Sequence, residues 1–70
     1  MREIDNEELR TLVFGSKINI KWNEKYANFE NENHDGVIVN GRIYYEDGKW
    51  DSIIDLLQFD NEKFTTFLYM

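Results

Sequence analysis

Apolar and polar residues alternate along the chain with a period that changes from one segment to the next. Residues 6–14 have helical spacing, with Leu9 and Leu12 on one side. Asp5 precedes this segment as a candidate N-cap, and Gly15 follows it as a C-terminal stop. The pattern therefore predicts a short helix at residues 6–14.

A period of two replaces the helical spacing in the next segment. In residues 17–26 the large apolar side chains Ile18, Ile20 and Trp22 fall on one side, whereas lysines and asparagines fall on the other. This alternation predicts a strand with one buried and one solvated face. The polar and irregular residues 27–36 predict an exposed loop.

The clearest local pattern is Asn40-Gly41 between two β-prone runs, residues 37–39 and 43–45. This dipeptide is preferred in two-residue type I′ turns because both of its residues adopt positive φ. The pattern predicts a β-hairpin. Since both runs are apolar throughout, we expect the hairpin at the centre of the sheet with both of its faces covered.

The remainder of the chain contains a turn, an ambiguous segment and an apolar run. Residues 46–49 form the turn, and residues 64–70 are rich in aromatic and β-branched side chains, which predicts a strand. Ser52 and Asp55 have capping-box spacing for a second short helix at residues 53–59. The apolar start of that segment fits a strand equally well.

Together these elements predict an α+β fold in a single small domain over residues 1–70, which is too short for two independent cores. A short N-terminal helix packs on an antiparallel sheet of about four strands, and a second short helix precedes the last strand. The alternative is a small all-β barrel in which residues 53–59 form another strand.

The net charge of the chain restricts the kinds of molecule that it can bind. The chain has 14 acidic and 8 basic residues, and its formal net charge is −6. Nucleic acids and anionic membranes repel such a chain, so we expect no direct binding to either. Lys17, Lys21 and Lys25 form a basic stripe along the predicted strand. We interpret this stripe as a solvated face that neighbouring acids balance.

Several sequence features indicate a cellular compartment. The chain has no cysteine, which excludes disulfides and thiolate metal sites. Its apolar runs are too short for a membrane-spanning helix, and charged residues directly follow Met1. We therefore expect a cytoplasmic protein of a bacterial or phage-infected cell.

Residue types suited to catalysis are few. His34 is the single histidine, and no nucleophile pattern accompanies it. The four glycines lie singly at predicted turns, so they form no phosphate-binding loop. Residues 31–38 have the spacing of the start of an EF-hand loop, but Arg42 occupies the position of the bidentate glutamate. We expect no enzyme activity, no cofactor and no bound metal.

Acidic residues in predicted loops and turns are the candidate contacts with a partner, because those positions are the most exposed. The candidates are Glu30, Glu32, Asp35, Glu46 and Asp47. A larger protein with a basic surface would attract them.

These observations lead to the hypothesis of a non-catalytic binding protein that inhibits or regulates a larger macromolecule. Its most concrete form is a phage-type anti-defence inhibitor, similar in action to anti-CRISPR or anti-restriction proteins. Such a protein blocks a basic nucleic-acid-binding groove, in one version as a nucleic-acid mimic. The alternatives are an antitoxin or immunity protein and a structural protein that mainly associates with itself.

The apolar run at residues 64–70 bears on self-association. It contains no charge or proline that would blunt an exposed edge strand. Either this strand lies inside the sheet, or a second copy covers its edge. We expect a homodimer with Phe67 and Tyr69 among the buried contacts, because a chain this small gains stability by dimerising.

Overall fold

The computed structural model of the chain describes residues 1–23, 33–58 and 63–69. These residues form six β-strands and two short α-helices. In chain order the elements are β1 (Arg2–Ile4), α1 (Asn6–Thr11), β2 (Phe14–Trp22), β3 (Asn33–Val39), β4 (Arg42–Tyr45), β5 (Trp50–Ser52), α2 (Ile53–Leu56) and β6 (Phe64–Leu68).

The six described strands belong to one sheet with the order β1-β6-β2-β3-β4-β5, and every neighbouring pair is antiparallel. The prediction of a four-stranded α+β fold is wrong, because the described residues form mostly an open antiparallel sheet of six strands with two short helices. The barrel alternative is wrong as well. The described sheet does not close, and Ile53–Leu56 is a helix rather than a strand.

Two strands escaped prediction because they are only three residues long. Arg2–Ile4 pairs with β6, and Trp50–Ser52 pairs with β4. An alternating pattern cannot be recognised over so few positions, so only pairing with a neighbouring strand identifies these segments as strands. They are the two edges of the sheet, and short edge strands limit pairing with other chains.

Helix α1 begins as predicted but ends earlier. The Asp5 carboxylate accepts a hydrogen bond from the Glu8 backbone N–H at 2.8 Å, which caps the helix. The helix ends at Thr11, and Gly15 lies within β2 rather than at a helix terminus. Gly15 has a φ of +83° at a shift of register between Phe14 and Lys17, so its conformational freedom serves a β-bulge.

Helix α2 covers only the first part of the predicted 53–59 segment, and residue 59 lies outside the described residues. Ser52 occupies the N-cap position, but its side chain makes no capping hydrogen bond. Among the described residues, no helix is long and apolar enough to cross a membrane.

The boundary between the predicted strand and loop is also different. Strand β2 starts at Phe14, and its pairing with β3 brings residues 33–36 of the predicted loop into the sheet. The remaining parts of these predictions, residues 24–26 and 27–32, lie outside the described residues. Polar residues form the start of β3 because neighbouring strands supply their hydrogen-bond partners.

The predicted hairpin is confirmed. Asn40 and Gly41 have φ values of 49° and 82°, which a type I′ turn requires, and Ile38 pairs with Ile43 across β3 and β4. The next turn is confirmed too, with a hydrogen bond of 2.9 Å from the Tyr45 N–H to the Lys49 carbonyl.

Pairing divides the side chains of the sheet between two faces. On the covered face, strand residues pack against both helices to form the core. Its buried apolar residues are Ile4, Leu9, Ile18, Ile20, Ile38, Ile43, Ile53, Leu56 and Phe64.

We call the opposite side the open face. Its residues include Glu3, Phe14, Lys17, Asn19, Lys21, Asp35, Val37, Val39, Arg42, Tyr44, Trp50, Ser52, Phe67 and Tyr69. The expectation that both faces of the hairpin are covered is wrong, because Val37 and Tyr44 are 40% and 37% exposed there.

Strand β6 lies inside the sheet, between β1 and β2. The unpaired edge that suggested a homodimer therefore does not exist at this strand. Phe67 and Tyr69 are both half-buried within one copy, and Phe67 pairs with Glu3 and Asn19. Dimerisation through these residues remains a prediction.

Gly36 provides a test of the packing on the covered face. A Cβ at this position would lie 2.5 Å from the Ile43 Cγ2 and 3.2 Å from the Tyr44 carbonyl oxygen. We expect Gly36→Ala to lower the free energy of unfolding by about 1–3 kcal/mol, measured by urea denaturation. Ile43→Leu removes the clashing methyl, so the double variant should lose less than the two single losses combined. Strict additivity would contradict this close contact.

Thr66 provides a second test. It is 2% exposed, and its hydroxyl has no hydrogen-bond partner among the described residues. We expect Thr66→Val to raise the free energy of unfolding by about 1 kcal/mol, because an unsatisfied buried hydroxyl is removed. Thr65→Val, at the neighbouring half-buried position, is the control and should change stability little. A destabilised Thr66→Val variant would show that the hydroxyl is satisfied.

Candidate interaction surface

A row of large side chains crosses the open face perpendicular to the strands. Cross-strand pairing aligns Lys17 with Val37, Val37 with Tyr44, and Tyr44 with Trp50. Tyr69 extends the row beyond Lys17, and its backbone N–H donates to the Lys17 carbonyl at 3.0 Å. We call these five residues the aromatic row. Trp50, at the end of this row, is 47% exposed.

Two cations are held against the rings of this row. The Lys17 Nζ lies 4.8 Å from the centroid of the Tyr69 ring, and the Arg42 Cζ lies 4.1 Å from the centroid of a Trp50 ring. Arg42 also donates from Nη1 to the Tyr44 Oη at 3.3 Å. Cation–π contacts limit the freedom of both charged groups, so the surface is partly organised before any partner arrives.

A hydrogen-bond network adjoins the aromatic row. Asn19 is only 7% exposed, and its Nδ2 donates to the Asp35 Oδ1 at 2.9 Å and also to the Asn33 Oδ1. The Tyr69 hydroxyl donates to the same Asp35 oxygen at 2.5 Å. These two donors, the tyrosine first, hold the pKa of Asp35 below its ordinary value. The network therefore fixes a charged carboxylate between β2, β3 and the end of β6.

A depression of about 500 Å³ lies at the acidic end of the open face. Its lining includes Asn19, His34, Asp35, Glu46, Asp47 and Tyr69. The structure thus brings together three of the five carboxylates that the sequence singled out. The other two, Glu30 and Glu32, lie outside the described residues.

The three carboxylates of the depression differ in their freedom. Asp35 is half-buried and hydrogen-bonded, so the prediction that its side chain is exposed is wrong. Glu46 and Asp47 are exposed in the turn after β4, as expected. Asp47 accepts a hydrogen bond from the Lys49 backbone N–H at 2.9 Å, which orders the turn. Glu46 and Asp47 can therefore meet a partner's cation at little cost in folding energy.

Three further titratable groups, His34, Tyr45 and Asp51, lie on the covered side of the sheet near the depression. The centroids of the His34 and Tyr45 rings lie 5.2 Å apart, and the Tyr45 hydroxyl donates to the Asp51 Oδ2 at 2.7 Å. Burial, followed by this hydrogen bond, raises the pKa of Tyr45 above its ordinary value, so the phenol stays a proton donor. Within the described ranges, no group of three or more histidine, aspartate or glutamate side chains is arranged to hold a metal ion.

Sequence reasoning missed Arg42 and Trp50 as surface residues. Arg42 was noted only for its place in a rejected calcium motif, and Trp50 only as the residue after a turn. Their contact depends on the pairing of β4 with the three-residue strand β5. A sequence signal existed in the short span between the Asn40-Gly41 turn and Gly48, which suits a second hairpin that brings the two side chains together.

Comparisons of the chain with protein-family models, curated proteins and solved structures found no match. Function is therefore inferred from the chemistry of the open face.

The hydroxyl of Tyr69 should control the ionisation of Asp35. We expect Tyr69→Phe to raise the pKa of Asp35 towards its ordinary value, because the strongest hydrogen bond to the carboxylate is lost. Carboxyl-carbon NMR titration would measure it, with Tyr44→Phe as the matched control. An Asp35 pKa that is the same in both variants would contradict the network.

The same substitution should change the pH dependence of stability. A depressed pKa in the folded chain stabilises the fold above the unfolded pKa of about 3.9, and this contribution disappears as the pH falls through the folded value. We therefore expect the stability difference between the wild type and Tyr69→Phe to shrink below about pH 4. Urea denaturation over a pH series would measure it, and a difference that grows on acidification would contradict this sign.

Proposed function

We propose that this chain is a non-catalytic binding protein that docks through its open face onto a larger protein with a basic surface. The observation that carries the proposal is the convergence of Asp35, Glu46 and Asp47 on one depression beside the exposed aromatic row. The carboxylates supply charge for the encounter, and the row supplies apolar area for the complex.

The composition of the face supports binding of a protein. Tyrosine, tryptophan and arginine are the residue types that contribute most to protein–protein affinity, and Tyr44, Trp50 and Arg42 are in mutual contact. A charged rim beside such a centre is the usual anatomy of an interface. The row leaves apolar area of Val37, Tyr44 and Trp50 exposed, and exposed apolar area is a common feature of docking surfaces.

Electrostatics supports a basic partner. The formal net charge of −6 accelerates association with a positively charged surface, and this effect weakens as salt is added. Glu46 and Asp47 present their carboxylates at the rim of the depression, where a partner's lysine or arginine can approach them.

The geometry favours one form of the inhibitor hypothesis. A strand-like nucleic-acid mimic needs carboxylates spaced along a line, as phosphates are. The three candidate carboxylates Asp35, Glu46 and Asp47 instead line one depression, which suits the capture of a single basic site. The proposal is thus an inhibitor or regulator that fills part of a basic groove, such as the nucleic-acid-binding groove of a defence enzyme.

The test is capture of a basic protein from bacterial lysate by the immobilised chain, at low and at high salt. We expect Glu46→Lys/Asp47→Lys to reduce capture at low salt by at least about tenfold, because the encounter loses its local attraction. Bound protein would be identified and quantified by mass spectrometry. A polyanion added to the lysate should displace the captured protein.

The matched control is Glu7→Lys/Asp55→Lys, which changes the net charge equally but lies on the helices, away from the open face. This variant should retain most of the capture. Equal losses from both variants would mean that only total charge matters, and would refute a specific site at the depression. Circular dichroism of each variant checks that the fold is intact.

A further inference from the structure

Exposed apolar groups are concentrated on the open face. Phe14, Val37, Tyr44 and Trp50 lie there, and Phe14 is 73% exposed. An antiparallel sheet tolerates one face in water when that face is polar, but these four side chains are aromatic or β-branched. Packing against a second sheet is one of the few general ways to cover such a face.

Charge on the open face is divided along the strand direction. In β4 and the turn after it, Arg42 and Glu46 flank Tyr44 at equal distances of two residues. Arg42 pairs with Val39 at one end of the face, while Glu46 lines the depression with Asp35 at the other. Along β4 and the turn after it, the face therefore changes from basic through aromatic to acidic, while Lys17 and Lys21 of β2 add positive charge to the same face.

This arrangement is complementary to itself. A two-fold axis that runs along the aromatic row, between two stacked sheets, reverses the direction of the strands in the second copy. Arg42 of one copy then lies over Glu46 of the other, and the symmetry repeats the contact. Tyr44 and Trp50 meet their own counterparts at the axis, within the angle of about 30° that sheet twist imposes. Lys17 belongs to the same row and also meets its counterpart, and its ammonium is held over the Tyr69 ring of its own copy.

We infer that a second copy covers the open face when no other partner is bound, in a two-fold homodimer that pairs Arg42 with Glu46 of the opposite copy. The inference rests on the proposed function, since both use the same face. It adds a regulatory consequence: self-association and capture of the basic partner exclude one another. The concentration of the chain then sets how much of it is free to bind.

The test is a charge swap on the purified chain, with mass measured by light scattering over a concentration series. The wild type should approach the mass of two chains. Arg42→Glu and Glu46→Arg should each weaken dimerisation by at least about tenfold, because each creates two like-charge contacts. An equimolar mixture of the two variants should restore the dimer, since both contacts become complementary again. Each variant must be folded for this rescue to occur.

The control pair is Arg10→Glu and Glu7→Arg, which reverses two exposed charges on α1 and should leave dimerisation unchanged. A wild type that stays monomeric at high concentration would overturn the dimer, and so would a mixture that fails to restore it. The capture experiment separates the two proposals. A monomeric chain that still captures a basic protein refutes only the dimer, and a dimer that captures none refutes only the proposed function.

Discussion

Among the described residues, a six-stranded sheet is covered by ten helical residues, and this is the constraint on which the described structure depends. Helices α1 and α2 contain six and four residues, which is enough to bury one face and not two. The alternation of side chains in each strand then sends isoleucines to the covered face and Tyr44, Trp50 and Phe67 to the other. The buried core and the proposed docking surface therefore lie on opposite sides of the same strands.

The open face combines rigid polar and apolar groups, and each depends on its neighbour. Asn19 is buried on the sheet surface because Asp35 and Tyr69 satisfy and cover it. Lys17 in turn lies over the Tyr69 ring. Tyr69 therefore contacts groups of both charges, since its hydroxyl donates to Asp35 and its ring lies against Lys17.

Local patterns in the sequence predicted local structure well. The predictions of the Asn40-Gly41 hairpin and of the Asp5 cap are confirmed, because each feature depends on residues that are close together in the sequence. The start of β3 was taken for a loop because the hydrogen-bond partner of Asp35 lies sixteen residues away, on Asn19. Glu46 and Asp47 of the candidate site followed from exposure in a turn, whereas Asp35 lies half-buried in β3. The contact between Arg42 and Trp50 did not, since strand pairing creates it.

The position of β6 has a consequence for how the protein is made. Strand β1 is an edge strand whose neighbour in the sheet is β6, and β6 also pairs with β2. A ribosome synthesises β1 before the other strands and β6 after them, so β2 to β5 can pair while β1 has no neighbouring strand. Of the six described strands, the one that is synthesised first is thus one of the last to find its place in the sheet.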